Sequence, residues 1–161
     1  MADRSGILWG PVERLETLVS ESSTFQSWVG AGDAATALKY ITVFETDDEM
    51  DLTLKRQATV DLLDDFQASR MAAGAGGVAA FNWTKGARVT FMGEVDSLTR
   101  DHAIAFFNFV GAMMADLMGD GNTQRLVLVP YTDVFRRQWS DDGGKVGYQA
   151  AIERVERDGV A

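Results

Sequence analysis

The sequence predicts an α+β fold: a mainly antiparallel sheet packed by an N-terminal helix and one long helix (about 97–118), closing in a C-terminal β-hairpin. Three observations carry this. Apolar spacing is helical before residue 40 and gives way to β-branched and aromatic runs after it. One long helical pattern stands between two strand-rich regions. Val146, Tyr148, Ala150 and Ile152 alternate cleanly behind the turn at 141–144, as the second arm of a hairpin does. Helices and strands arranged in blocks, rather than in strict alternation, give α+β.

Each element follows from local chemistry. Gly10-Pro11 opens the first helix, since proline suits a first turn, and Val12, Leu15, Leu18 and Val19 form its apolar stripe. The Ser-rich segment 20–23 stops it. Residues 24–29 form a short second helix closed by Gly30 and Gly32, and Asp33 caps a further turn running to Leu38. Residues 40–44 read as a strand and 54–63 as a second, extending through Phe66 to Met71. The Gly-rich segment 72–77 is a loop tip. Residues 78–83, the turn 84–86 and residues 87–95 are expected to form a hairpin, with Val89, Phe91 and Gly93 on one face.

The long helix begins at Ser97 or Thr99, carries Asp101 in its first turn and ends at Gly119. Its apolar set is Ile104, Phe106, Phe107, Phe109, Val110, Met113, Met114, Leu117 and Met118. That is wider than the ~100° stripe of a surface helix, so the helix needs cover on two sides. Gly111, Ala112 and Ala115 leave room for a close neighbour. Residues 126–129 and 134–139 then lead into the closing hairpin.

Composition narrows the function. The 161 residues read as one domain, 1–161, long enough to bury roughly 70% of its unfolded surface. Cysteine is absent and His102 is the sole histidine, which excludes disulfides, thiolate sites and histidine-rich metal centres. No apolar run reaches the ~18 residues of a membrane span, and the N-terminus lacks a signal-peptide pattern, so a cytoplasmic site of synthesis is expected. The net charge is -9, with 13 acids against 6 bases in residues 1–70 and 11 against 9 thereafter. Five carboxylates fall between Glu45 and Asp51. Nucleic-acid binding needs clustered Lys and Arg, and no such stripe exists. An acidic surface suits instead the wall of a passage through which DNA slides.

No catalytic motif emerges. His102 beside Asp101 reads as a helix-start residue, since no nucleophile accompanies it. The glycines at 74, 76 and 77 lack the spacing of a dinucleotide fingerprint. The acidic run lacks the alternation and the glycine of a calcium loop, and reads as a solvated or partner-facing loop. No pair of acids has glycosidase character. Neither enzyme activity nor a cofactor or metal is expected. Trp9, Trp28, Trp83 and Trp139 sit away from the periodic core, and with seven methionines and the over-apolar helix they point to self-assembly.

The segments 12–30 and 34–43, the helix 105–117 and the closing hairpin 135–155 resemble, in order and in several side chains, small phage and prophage neck or tail-completion proteins, and among these the tail terminators. The Gly-rich loop 72–77 and the acidic segment 45–51 depart from that pattern. The resemblance implies a virion protein assembled in the host cytoplasm. It forms a homohexameric ring at the head-proximal end of the tail tube, ends tube polymerisation and meets the head-closure or neck protein. DNA passes through its lumen without specific binding, and no membrane is involved. On this reading Asp47, Asp48, Glu49 and Asp51, with Gly74, Gly76 and Gly77, lie in contact loops. Phe106, Phe109 and Met113 pack between subunits, so replacing Phe109 by Asp is expected to give soluble monomers. The alternatives are another neck or tail ring subunit (head-closure or tail-tube protein), a non-viral cytoplasmic adaptor domain and, last, an acid-dependent hydrolase.

Overall fold

The computed structural model describes residues 6, 8–43, 53–63, 68–70, 81–83, 85–130, 135–140 and 143–156. Pro11 lies in the first turn of α1 (Trp9–Glu21), where its missing N–H costs nothing, and Val12, Leu15 and Val19 form the buried stripe. Ser22 ends this helix with extended backbone and caps the next, its Oγ accepting from the Phe25 N–H at 3.3 Å. α2 (Ser23–Val29) stops at Gly30, whose φ of 78° is the left-handed conformation that glycine adopts without strain. Asp33 caps α3 (Ala34–Ala37) by accepting from the Thr36 N–H at 2.7 Å, a bond that holds its carboxyl below the usual range.

After a 3₁₀ turn (Leu38–Tyr40) come β1 (Ile41–Val43), β2 (Arg56–Leu62), β3 (Ala68–Arg70), β4 (Phe81–Trp83) and β5 (Gly86–Val95). Then follow α4 (Arg100–Met118), β6 (Thr123–Pro130), β7 (Phe135–Ser140) and β8 (Gly143–Glu156). The main sheet runs β1-β2-β5-β8-β6, with β7 also on β8. β1 and β2 are parallel, and every other described pair is antiparallel. This is the expected α+β class. β8 is the organising strand. It pairs with β5 from Val146 to Val155 on one side, and with β7 and then β6 on the other.

The closing hairpin forms as its alternation predicts, with Ser140 opposite Gly143. The expected pairing of residues 78–83 with 87–95 does not form. β4 pairs with β3 in a separate two-stranded sheet, and β5 lies between β2 and β8. β5 is apolar at alternate positions and long enough to serve a central sheet position, whereas a three-residue strand cannot partner ten residues. The second strand ends at Leu62, and residues 64–67 and 71 of its expected extension lie outside the described residues.

α1 packs on β2 and β5, and α4 on β8, β6 and β5, all on one face of the sheet. Val12, Leu15, Val19 and Phe25 meet Ala58, Val60, Val89, Phe91, Ala150 and Ile152 in the core between these layers. Each such large side chain contributes about 1.5–3 kcal/mol on burial. Gly86 leaves the closest approach in the sheet, since a Cβ there would stand 2.5 Å from the Arg154 carbonyl oxygen and would also run into the Leu63 side chain. Gly86→Ala is therefore expected to destabilise the chain by about 1–3 kcal/mol in a denaturant titration, and an unchanged midpoint would contradict the packing. No described helix is long and apolar enough to cross a bilayer.

Candidate interaction surface

α4 is capped by Thr99, whose Oγ1 accepts from the His102 N–H at 3.2 Å, and Asp101 adds a negative charge to its first turn. Its inner arc is Phe106, Phe109, Val110, Met113 and Leu117. Phe109 stacks on Trp28 with centroids 4.0 Å apart and planes at 10°, and meets Phe91 edge-on at 5.1 Å. Phe106 packs against Trp28 at 6.3 Å and Tyr148 at 6.1 Å. The expectation that Phe106, Phe109 and Met113 face another subunit is thereby corrected. They are 5%, 8% and 0% exposed and belong to this chain's own core. The helix has two apolar faces, and the sheet together with Trp28 takes this one. Trp9 and Trp28 likewise pack against the core.

The other face stays uncovered. Ile104, Phe107 and Met118 on α4, and Val127 and Leu128 on β6, each keep 37–51% of their surface exposed. Gly111 has open space above it. β6 is the sheet's last strand, and among the described residues it pairs with β8 alone. Leu128 lies opposite Ile152 and shares the helix-side face, while Val127 lies opposite Glu153 and faces the other way, so this edge strand is apolar on both faces. Leaving such an edge bare invites a second strand. The helix packs along this edge strand, so both elements leave apolar side chains exposed on the same side of the domain.

A recess of about 120 Å³ lies at the start of α4, lined by Trp28, Arg56, Gly93, Glu94, His102, Phe106 and Tyr148. Three of its polar groups are engaged with backbone. Arg56 donates to the Trp28 carbonyl at 2.7 Å and lies over the indole, the His102 Nδ1 is 2.8 Å from the Ser97 carbonyl oxygen, and the Tyr148 hydroxyl donates to the Thr99 carbonyl at 3.0 Å. His102 is thus the helix-start residue its position predicts.

At the far end of α4 sits a charge cluster that the sequence reading missed. Arg154, 1% exposed, donates from Nε to Thr123 Oγ1 at 2.7 Å, from Nη1 to Glu156 at 2.9 Å and from Nη2 to Asp120 at 2.8 Å. Glu156 also accepts two bonds from Arg14, at 2.5 and 2.6 Å. Burial pushes the Glu156 carboxyl up, but the bonds and charges of Arg14 and Arg154 outweigh it and hold the group below its ordinary range. The cluster clamps α1, the turn after α4 and the end of β8 together. Among the described residues no group of three or more His, Asp or Glu side chains could hold a metal ion.

No protein-family model and no curated protein sequence matches the chain. The predicted contact-loop residues Asp47, Asp48, Glu49 and Asp51, and Gly74, Gly76 and Gly77, lie outside the described residues. The large apolar residues left exposed include Ile104, Phe107 and Met118 on α4 and Val127 and Leu128 on β6, with Leu8, Leu38 and Leu98 elsewhere. The excess width of the α4 pattern signalled that a second face existed, without saying which side was which.

Proposed function

We propose that this chain is a structural subunit of a tailed phage, forming a ring at the head-proximal end of the tail tube, where it ends tube polymerisation and joins tail to neck. One observation carries the reading. Among the described residues the chain leaves exposed an apolar flank of α4 and an edge strand, β6, paired on one side only, surfaces that a lone subunit gains by burying. The order of elements supports it, since helices, sheet, long helix and closing hairpin follow the pattern that the tail-terminator resemblance implies. The acidic balance of the chain fits a lumen through which DNA passes without being held.

The test mixes the purified chain with tail tubes from the same genome and measures both tube-end occupancy and mass. Rings of about six copies at one tube end, with further tube growth blocked, are the expected result. Incorporation along the tube would transfer the chain to the tail-tube role, and binding only to the head side would transfer it to head closure. A chain that ignores both tube and neck overturns the reading in favour of an adaptor.

A further inference from the structure

The clamp at the end of β8 joins unequal partners. Glu156 is buried and accepts from two arginines. Arg154 is 1% exposed and has Thr123 and Asp120 besides. Arg14 is half-exposed, and among the described residues both of its side-chain bonds go to Glu156. α1 packs on β2 and β5, so Arg14 is the side chain that ties this helix to the end of β8. Its guanidinium folds back over the first turn of α1, where Gly10 leaves the seat. A Cβ at that position would stand 3.0 Å from Nη2 and 3.2 Å from Nη1. Beside it, between α1 and the turn after α4, lies a hollow of about 330 Å³, with Arg14 as its exposed wall and Arg154 as its buried floor.

We propose that Glu156 is a proton-operated latch on α1, closed when ionised and open when protonated. A protonated carboxyl keeps one good acceptor oxygen and gains a donor, so it no longer serves both arginines. Arg154 keeps that acceptor, because at 1% exposure it has no water to turn to and a lost bond would leave a buried donor unmet. Arg14 lets go. Water replaces its bonds at a half-exposed position, and Glu13, the other carboxylate acting on it, stays beside it on α1. The hollow then opens toward Arg154, and the start of α1 rests on its apolar stripe. Asp120 and Thr123 go on holding Arg154, so the turn after α4 stays in place.

The surrounding charges set the direction. Arg14 and Glu13 face the latch from α1, Arg154 from β8, and Asp120 from the turn after α4, through Arg154. Lys85, before β5, meets Glu156 through its backbone, the Lys85 carbonyl accepting from the Glu156 N–H at 2.7 Å. Burial raises the Glu156 carboxyl, and the bonds and charges of Arg14 and Arg154 lower it further, to below its ordinary 4.5. The latch is therefore shut at neutral pH and opens as pH falls through that lower value. It is a property of the single chain and does not rest on the ring.

Glu156→Gln opens the latch without acid, since an amide offers one acceptor oxygen and turns N–H donors where the carboxylate accepted. Hydrogen exchange at pH 7 should then run about tenfold faster at the amides of Glu13 to Leu18, with those of α4 and β6 unchanged. Arg14→Met, a change at a half-exposed side chain, should give the same pattern and keeps the test open should Glu156→Gln fail to fold. The natural chain taken from pH 7 to pH 3, with intrinsic exchange rates divided out, should pass from the closed pattern to the open one. Arg14→Met should show no such step in α1. Equal acceleration across α1, α4 and β6 overturns the latch, because Glu156 then supports the whole domain. Unchanged exchange of α1 in Arg14→Met overturns it as well, because the apolar stripe then holds the helix unaided.

Discussion

Phe109→Asp will unfold the chain rather than release soluble subunits. The ring of Phe109 is stacked at 4.0 Å on Trp28 and closes the core against Phe91. Truncating a buried phenylalanine to alanine costs about 3–5 kcal/mol in lost transfer and cavity energy. Aspartate adds a buried carboxylate to this aromatic cluster, where the Arg56 guanidinium on Trp28 is already bonded to the Trp28 carbonyl, a further penalty of several kcal/mol. The sum reaches the whole stability of an ordinary domain, about 5–15 kcal/mol. The far-UV spectrum at 25 °C should therefore lose its helical signal. Phe107→Asp is the informative contrast, because two positions along the same helix the ring is exposed. That substitution loses the partly buried contact with Phe106 and should cost about 1 kcal/mol, far less than Phe109→Asp, while altering assembly. A Phe109→Asp protein with a native spectrum and melt would return Phe109 to the surface.

The contrast between these neighbours marks where sequence reasoning runs out. Periodicity and caps place the end of α4 before Gly119 and its start within three residues, Thr99 rather than Ser97 being the cap. Phe106, Phe107 and Phe109 are nonetheless the same residue type on a helix apolar on two sides. Which side turns inward is decided by Trp28 and Phe91, far away in sequence, and no local signal reports that. The misplaced hairpin has the same origin. A turn at residues 84–86 marks a chain reversal, but strand partners are chosen by which edges can match β5 along ten residues, and β8 alone does so in full.

The clamp at the other end was more legible than its omission suggests. Tyr148, Ala150 and Ile152 alternate toward the helices, and the same parity continues through Arg154 and Glu156. An arginine and a glutamate on the buried face of a strand need partners, and the strand's own pattern states the need. It does not state that Asp120, Thr123 and Arg14 supply them, because those lie on three separate elements.

Arg154→Met should accordingly be the most damaging polar substitution among the described residues. It leaves Glu156 buried with Arg14 alone, and strips Thr123 Oγ1 of its donor while that hydroxyl still donates to the Leu117 carbonyl at 2.9 Å. Breaking a buried pair from one side costs about 3–5 kcal/mol, because the remaining charge keeps its desolvation penalty without its partner. The substitution should also move the pH profile. Glu156 is held below its ordinary 4.5 in the folded chain, so its contribution is present above that value and is lost as pH falls through the lower folded value. With one arginine removed and the burial unchanged, the folded value rises toward the unfolded one, so less stability is left to lose on acidification. Denaturant titrations between pH 3 and 7 should show the Arg154→Met deficit largest near pH 7 and narrowing as pH falls, because the natural chain loses more on acidification. Adding Glu156→Gln to Arg154→Met removes the stranded charge, so the double variant should recover part of the loss and flatten the acid limb. Curves that run parallel down to pH 3 would mean that Arg154 packs without holding Glu156 ionised.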